Sequence, residues 1–384
     1  MDQKRAIVLL TDPVSPEEYG KPLMLKAVLF SPVLTWVSEK LKADGVRRFF
    51  VACGPEYARE ARACFREEDD VTVSAEREDL LAFLAEDGPV SVIPGAVLPV
   101  GDDLQPEENC AFTADARALR ESWEDSGSSR VSGAAPLPGF ATVENFMDVQ
   151  DLSSLCRDDV VDRLMAKGVE FMDRYAVYIG PLVDIGEGTV ILPGTILRGN
   201  TTIGTGCEIG PNTMIRDCVI GNDTTVNASQ LNESTVGDRT NVGPFAYVRP
   251  NSHIGDDIKV GDFVEVKNST IGNGTKISHL TYLGDSDVGQ HVNFGCGTVT
   301  TNYDGFKKYR CTIGDHAFLG CNTNLIAPVT VGEGAYTAAG STITQEVPKD
   351  ALAVARSRQK NLEGWAARRR ALHAEQEQKK KENT

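Results

Sequence analysis

Closely paired cysteines are missing from this sequence, and their absence argues against zinc. Nine cysteines are scattered along 384 residues, and no two of them have the two-residue separation typical of zinc ligands. Only five histidines are present, and they share no spacing that would bring several to one ion. We therefore predict no metal site. The odd count and irregular spacing of the cysteines suit free thiols in a reducing compartment, so we expect the protein to be cytoplasmic.

Long apolar runs and an excess of basic residues are also missing. No stretch approaches the roughly 18 apolar residues that cross a bilayer. The short apolar run near the N-terminus lacks a cleavage site, so it indicates a first β-strand rather than a signal peptide. Because the formal charge is −16, the chain repels nucleic acid and anionic membranes on average. We expect neither as a partner, and a phosphate ligand would need a local basic pocket.

The first hundred residues alternate between strand patterns and helix patterns with short links. This alternation predicts a parallel sheet covered by helices. Small and polar residues between 126 and 136 predict an exposed loop, and apolar residues at helical spacing follow. We predict an α/β domain over residues 1–145 and a connecting helix in segment 146–176, with its last turn ending near Gly168.

From residue 183 onwards, apolar residues recur at every sixth position, which fits neither a helix nor an ordinary strand. Two runs keep this spacing without interruption: Ile185, Ile191, Leu197, Ile203, Ile209 and Ile215, then Val242, Val248, Ile254, Val260 and Val266. A period of six describes a short strand and a corner, and three such units close one triangular coil. A sheet sandwich would show period-two alternation instead. We predict a parallel β-helix over residues 177–348, followed by a C-terminal helix and tail over residues 349–384.

The repeat is interrupted once, between Phe294 and Ile313, where the stretch TNYDGFKKYRCT contains no clean six-residue unit. We interpret this stretch as a loop that leaves the β-helix.

Hexapeptide repeats by themselves identify only a scaffold, which serves acyltransferases, carbonic anhydrases and purely structural proteins. Acyl transfer to an amine needs a base of near-neutral pKa, and His279 is a candidate, although a structural histidine on the wall of the helix fits the periodicity equally. Arg249 and Lys267 are 18 residues apart, which is one coil, or roughly 5 Å. Two cations at that distance repel unless an anion bridges them, which favours a phosphate over two independent surface charges.

Several short motifs in this region resemble one known family. These motifs are YVRPNS, FVEVKNS, HLTYLGD, NFGCGTVTTNYDG, APVTVG and AAGS. They are similar to the acetyltransferase half of the bacterial bifunctional enzymes that acetylate glucosamine-1-phosphate and then uridylylate it. The resemblance covers about residues 147–365. It implies a left-handed parallel β-helix, acetyl-CoA as co-substrate, a homotrimer with sites between subunits, and a role in making UDP-N-acetylglucosamine for peptidoglycan.

The resemblance also implies roles for individual residues. His279 matches the general base of the family. Its sugar-phosphate ligands are matched by Arg249, Lys267, Tyr282 and Asn293. Its acetyl-CoA contacts are matched by Cys296, Asn302, Tyr303, Cys321, Ala339 and Arg356, and a loop lysine on the same side by Lys308. Two of these depart from the pattern, because Cys296 stands in place of alanine and Cys321 in place of serine.

The N-terminal domain resembles a reduced form of the family's uridyltransferase half. The first strand runs into LLTDPVSPEEYGKP without the glycine-rich loop that holds nucleotide phosphates, and the metal-binding Gly-Asp is replaced by Gly95-Ala96. We therefore predict an inactive nucleotidyltransferase-like domain and an acetyl-CoA-dependent N-acetyltransferase that acts on an amino-sugar phosphate, with glucosamine-1-phosphate as the expected acceptor. Two alternatives stay open: an enzyme that keeps both activities, and a non-catalytic trimeric sensor of nucleotide sugars.

Overall fold

The structure is a computed structural model that describes residues 4–11, 20–101, 110–125, 131, 133–151 and 153–382. The polar stretch 126–129 that was expected to form a loop lies outside these residues, as does most of the segment that follows the first strand.

The N-terminal domain contains a six-stranded sheet. Its four parallel strands alternate with helices, as predicted, and two short antiparallel strands extend the sheet at one edge. In spatial order the strands are Asp70–Ser74, Val46–Ala52, Lys4–Leu9, Pro89–Ile93, Phe112–Asp115 and Ala135–Pro136. Two small antiparallel pairs lie outside this sheet: Ala27–Val28 with Ser31–Pro32, and Val97–Pro99 with Phe140–Thr142.

Helices cover both faces of this sheet. One face buries the large apolar residues of Val33–Ala43 and of the later helix Ser153–Ala166, and the other buries those of Arg77–Phe83 and Ala116–Asp125. The remaining short helices are Leu23–Leu25, Ala58–Arg62 and Phe146–Asp151.

The predicted connecting helix is shorter than the segment assigned to it. Ser153–Ala166 ends where expected, since Gly168 adopts a φ of +88° and the amide of Val169 donates to the carbonyl of Leu164 at 3.1 Å. A left-handed glycine with such a backward hydrogen bond is a common helix C-terminus. The first strand of the β-helix, Glu170–Phe171, follows at once, although this stretch was assigned to the connector.

Residues 170–353 form a triangular prism of stacked coils. This confirms the parallel β-helix predicted from the six-residue period and the left-handed form that the family resemblance implied. Its three faces are parallel sheets of eleven, ten and nine strands. The first face comprises Glu170–Phe171, Val190–Ile191, Glu208–Ile209, Thr225–Val226, Asn241–Val242, Lys259–Asp262, Lys276–His279, Asn293–Phe294, Phe318–Leu319, Tyr336–Thr337 and Leu352–Ala353. The second comprises Tyr178–Ile179, Ile196–Arg198, Met214–Arg216, Gln230–Asn232, Tyr247–Val248, Glu265–Lys267, Tyr282–Gly284, Val299–Thr301, Asn324–Ile326 and Thr342–Ile343. The third comprises Asp184–Ile185, Thr202–Ile203, Val219–Ile220, Thr235–Val236, His253–Ile254, Thr270–Ile271, Ser286–Val288, Cys311–Ile313 and Val329–Val331.

The sixth-position residues fill the inside of the prism. All eleven apolar residues that were singled out by the repeat are buried to at least 97%. This core is continuous with the core on one side of the N-terminal sheet. The helix Ser153–Ala166 joins the two parts, and its buried Asp159 forms an ion pair with Lys40 of Val33–Ala43 at 3.3 Å.

Residues 302–310 leave the prism as a loop between the second and third faces, as the interrupted repeat predicted. The C-terminal helix Trp365–Glu382 follows the last coil.

Candidate active site

His279 ends a strand of the first face, and its ring is held by a carboxylate on the preceding coil. The strand register places Asp262 beside His279, and Asp262 Oδ1 lies 2.7 Å from His279 Nδ1. Because a carboxylate only accepts, Nδ1 carries the hydrogen, and in the neutral ring Nε2 keeps its lone pair for another proton. The hydrogen bond from His279, helped by the backbone N–H of Asp262, lowers the pKa of the Asp262 carboxyl.

Three further positions continue the line of His279 along one corner of the prism. Strand register places Cys296 beside His279, Cys321 beside Cys296, and Ala339 beside Cys321. The backbone confirms the stacking of the last three positions, since the amide of Asn322 donates to the carbonyl of Cys296 and that of Gly340 to the carbonyl of Cys321, each at 2.8 Å. At the step before, the amide of Gly297 donates to the carbonyl of Leu280, the residue after His279, at 3.0 Å.

We call Asp262, His279, Cys296, Cys321 and Ala339 the corner column. Arg356 lies at its far end, where its Cδ is 3.7 Å from the position a Cβ would take on Gly340. Each coil rises by about 4.8 Å, so the column is about 19 Å long from Asp262 to Ala339. The candidate base and four of the predicted acetyl-CoA contacts therefore share one edge of the protein.

A second group of charged residues gathers where the second face meets the third. Arg249 and Lys267 lie side by side, as their 18-residue separation predicted, since the amide of Arg249 donates to the carbonyl of Val266 at 2.8 Å. Lys308 returns from the 302–310 loop to the same place, and its proximity lowers the pKa of Lys267, followed in effect by burial. We call Arg249, Lys267 and Lys308 the basic cluster.

Nearby carboxylates offset this charge only partly, since Asp285 favours the charged form of Lys267 less strongly than Lys308 opposes it. Glu265 accepts from Arg249 Nη1 at 2.7 Å, and this hydrogen bond raises the pKa of the Arg249 guanidinium. Neither lysine of the basic cluster is in an ion pair within the described part of the chain. A lysine whose protonation is disfavoured by a neighbouring ammonium group marks a local excess of positive charge, which an anion would relieve.

Tyr282 belongs to a hydrogen-bonded network beneath this surface. The amide of Asn302 donates to the Tyr282 hydroxyl at 3.4 Å and to Asp285, and Asn268 donates to the other oxygen of Asp285. Asp285 is 4% exposed and Asn302 is 7% exposed. The side chain of Asn302, which the resemblance matched to an acetyl-CoA contact, thus supports Tyr282 and the base of the loop.

The 302–310 loop is folded back on itself by local contacts. Tyr303 forms a backbone bridge with Lys308, and its hydroxyl donates to the carbonyl of Gly305 at 2.7 Å. Arg310 holds the end of the loop through Asp287, with its Nε donating to Oδ2 at 3.0 Å. These contacts turn the loop back, so that Lys308 reaches Lys267, which lies two coils before the start of the loop.

Two residues that sequence reasoning missed, Asp262 and Glu265, are partners of residues that it selected. Both lie one coil before a candidate, since Asp262 is 17 residues from His279 and Glu265 is 17 residues from Tyr282. The coil length was the signal that could have revealed them. Asn293 lies half-buried on the first face, one coil after Lys276 and three residues before Cys296.

The column and the basic cluster are separated by the width of the second face. That face is three residues wide here, from Glu265 to Lys267, so the separation is on the order of 10 Å. A proton acceptor and an anion site at this distance can hold a small phosphorylated amine between them.

Metal and membrane chemistry receive no support from the described residues. No group of three or more His, Cys, Asp or Glu side chains in the described ranges could hold a metal ion. None of the helices described is long and apolar enough to cross a membrane.

The chain is similar both to a family sequence profile and to individual curated proteins. The sequence profile described as "Bacterial transferase hexapeptide (six repeats)" matches residues 182–217 and 310–345. The curated protein "Bifunctional protein GlmU" of Halalkalibacterium halodurans is 50% identical over 235 residues, which are 60% of this chain and 52% of that protein. Its counterpart in Clostridium beijerinckii is 56% identical over 201 residues, which are 52% of this chain and 44% of that protein.

These relatives confirm the resemblance to the bifunctional family, and the chain spans about half the length of the curated relatives it matches. Among solved structures, the Arabidopsis UDP-N-acetylglucosamine acyltransferase is 16% identical with a TM-score of 0.33, covering 51% of this chain and 75% of that one. LpxA from Acinetobacter baumannii is 17% identical with a TM-score of 0.32, covering 49% and 71%.

Proposed function

We propose that the prism is an acetyl-CoA-dependent N-acetyltransferase whose acceptor is an amino-sugar phosphate, and we take glucosamine-1-phosphate as that acceptor. The observation that carries the proposal is the Asp262–His279 pair at 2.7 Å, placed on the corner column and across one prism face from the basic cluster. The resemblance to bifunctional GlmU proteins supports the same activity.

The proposed reaction uses each group for one task. The amine of the sugar attacks the thioester carbonyl of acetyl-CoA, and Nε2 of His279 takes the proton that the amine loses. Asp262 keeps Nδ1 protonated and the ring oriented, and it stabilises the imidazolium that forms. The basic cluster holds the phosphate through charge-assisted hydrogen bonds, which fixes the distance between the amine and His279. The tetrahedral intermediate then expels the thiolate of coenzyme A.

The acetyl-CoA contacts and the assembly are part of the same proposal. Cys296, Cys321 and Ala339 line up along one edge, where an extended acyl donor would lie, with Arg356 at the far end for a phosphate of the donor. Lys308 and Tyr303 come from the loop that closes over the basic cluster. We propose a homotrimer in which neighbouring prisms complete the site, and a role in supplying UDP-N-acetylglucosamine precursors.

The N-terminal domain is proposed to lack uridyltransferase activity. At the end of the strand Pro89–Ile93, the position expected to hold a metal-binding aspartate is Ala96, which is 3% exposed and whose carbonyl accepts from the amide of Val143 at 2.9 Å. A buried methyl group cannot ligate Mg²⁺, and phosphates there would lack a counter-ion.

The proposal is tested by following N-acetyl product formation from acetyl-CoA with a panel of amino sugars and their 1-phosphates. His279→Ala should lower kcat by roughly 10²–10⁴. His253→Ala is the matched control, because His253 is also exposed on the prism and hydrogen-bonds to Thr235 at 3.0 Å on a different face. A wild-type rate in His279→Ala, or no acetylated product from any acceptor with the unmodified protein, would refute it.

A further inference from the structure

Cys296 and Cys321 are exposed thiols on neighbouring coils of the same corner. Each follows a glycine and precedes a left-handed residue, Gly297 with a φ of +78° and Asn322 with a φ of +54°. The two corners therefore have the same backbone shape. A Cβ on Gly295 would come within 2.5 Å of the Cys321 nitrogen, which shows how closely the two coils approach.

This register gives the two cysteines a spacing at which they can be bridged. In-register residues on neighbouring parallel strands are about 4.8 Å apart at Cα, and disulfides span about 4.4–6.8 Å between Cα atoms. Side chains on such positions point in the same direction, so the Cβ atoms must approach by about 1 Å for a disulfide, whose Cβ atoms are ~3.8 Å apart. An exposed and strained disulfide of this kind is easily reduced again.

The other seven cysteines provide the contrast. All of them are buried. Burial raises the pKa of Cys64, Cys218 and Cys311 to about 11 and that of Cys156 to about 12. Since the thiolate is the reacting form, these buried thiols react slowly. In the folded protein, Cys296 and Cys321 are therefore the thiols that react with external reagents.

Of the two thiols, only Cys296 has a histidine at the same corner of a neighbouring coil. His279 precedes Cys296 on the corner column, whereas Cys321 has Ala339 on its other side. His279 Nδ1 is committed to Asp262, so Nε2 is the atom that can take the Cys296 proton. This asymmetry makes Cys296 the attacking thiol and Cys321 the resolving thiol.

We propose that Cys296 and Cys321 form a thiol-modification site that reacts with low-molecular-weight disulfides and closes to an intramolecular disulfide. This disulfide blocks the corner column, along which the acyl donor is proposed to lie. The Cys296 sulfur attacks one sulfur of the external disulfide, whose S–S bond breaks and releases the first thiol. Cys321 then attacks the mixed disulfide at Cys296 and expels the second thiol. Two protein thiols lose two electrons, the external disulfide gains them, and the two thiol protons pass to the released thiols, the first by way of His279.

The site is tested on the full-length protein with glutathione disulfide as the probe. Before treatment, two thiols should react rapidly with a thiol reagent under native conditions. After treatment, neither should react, the intact mass should fall by two hydrogens, and peptide mapping should join Cys296 to Cys321. Dithiothreitol should reverse all three changes. Stable glutathione adducts at either cysteine without the cross-link, or no modification, would overturn the proposal.

Single substitutions separate the two steps. Cys296→Ala and Cys321→Ser should each prevent the cross-link, and Cys321→Ser should retain a glutathione adduct on Cys296. Cys311→Ser is the matched control, because Cys311 is buried in the same prism, and it should behave like the unmodified protein. His279→Ala should slow the loss of thiols at pH 7 but not at pH 9, where an ordinary thiol of pKa about 8.5 ionises without a base. If His279→Ala lost its thiols as fast as the unmodified protein at pH 7 as well as at pH 9, His279 would have no part in this step.

The effect on catalysis rests on the proposed function, whereas the disulfide is read by mass alone. Acetyl transfer should fall at least tenfold in the cross-linked protein and return on reduction. Full activity of the cross-linked protein would overturn the proposal that the disulfide inhibits acetyl transfer. If the reduced protein makes no acetylated product, the proposed function fails while the thiol site stands on its own measurement.

Discussion

The Asp262–His279 pair supports the most specific prediction. Asp262→Asn removes the negative charge but keeps the size of the side chain. The asparagine can turn its amide NH₂ towards Nδ1, which favours the wrong tautomer of His279 and leaves Nε2 protonated and unable to accept. We therefore expect kcat to fall while the protein keeps its fold, because neither side chain contributes to the core.

The size of this fall follows from what the variant retains. Loss of a general base costs ~10²–10⁴ in rate, and this is the ceiling because His279 is still present. The side chains of His279 and Asp262 are 58% and 42% exposed, so water screens their interaction and competes for the ring. We therefore expect a smaller fall than that range, with kcat about tenfold lower and the KM values for both substrates within about twofold of the unmodified protein.

The assay measures kcat and KM by chromatography of the N-acetylated product. A thiol reagent for released coenzyme A is unsuitable, because Cys296 and Cys321 are exposed. Asp257→Asn is the matched control: Asp257 is also exposed on the prism, but it accepts from Arg239 Nε at 2.8 Å at another corner. A wild-type kcat in Asp262→Asn, or an equal fall in Asp257→Asn, would refute the positioning role of Asp262.

Three further predictions concern the other parts of the structure. Lys267→Ala and Lys308→Ala should each raise the KM for the phosphorylated acceptor about tenfold more than that for acetyl-CoA, since each loses a charge-assisted hydrogen bond; equal effects on both substrates would make the lysines structural. The pKa of Asp262, measured by NMR, should rise towards ~3.9 in His279→Ala. Because the folded-state pKa is the lower one, the pair stabilises the fold above the unfolded-state pKa, and this contribution disappears as pH falls through the folded-state pKa. The full-length protein should release no pyrophosphate from UTP and N-acetylglucosamine-1-phosphate with Mg²⁺, because Ala96 replaces the metal ligand; robust release would make the protein bifunctional.

The sequence by itself determined the architecture of the prism. In the β-helix, every sixth residue points into the interior and must be apolar, as Ile185 and Val260 are. This spacing can be read directly from the order of the residues. The same holds for the end of the connecting helix, where Gly168 adopts a backbone conformation that residues with a Cβ adopt at a cost. These are local properties of the chain. The interruption that became the 302–310 loop was visible for the same reason, since a loop outside the prism need not supply interior residues.

Only the tertiary structure decided which side chains meet between coils. A coil can be 16, 17 or 18 residues long, and the loop makes the step from Cys296 to Cys321 twenty-five residues, so a partner cannot be located by counting alone. The pairing of Asp262 with His279 depends on which of these lengths each coil adopts. The approach of Lys308 to Lys267 depends on how the loop folds back. Each is a contact between distant segments, and its energy appears only after the coils have stacked.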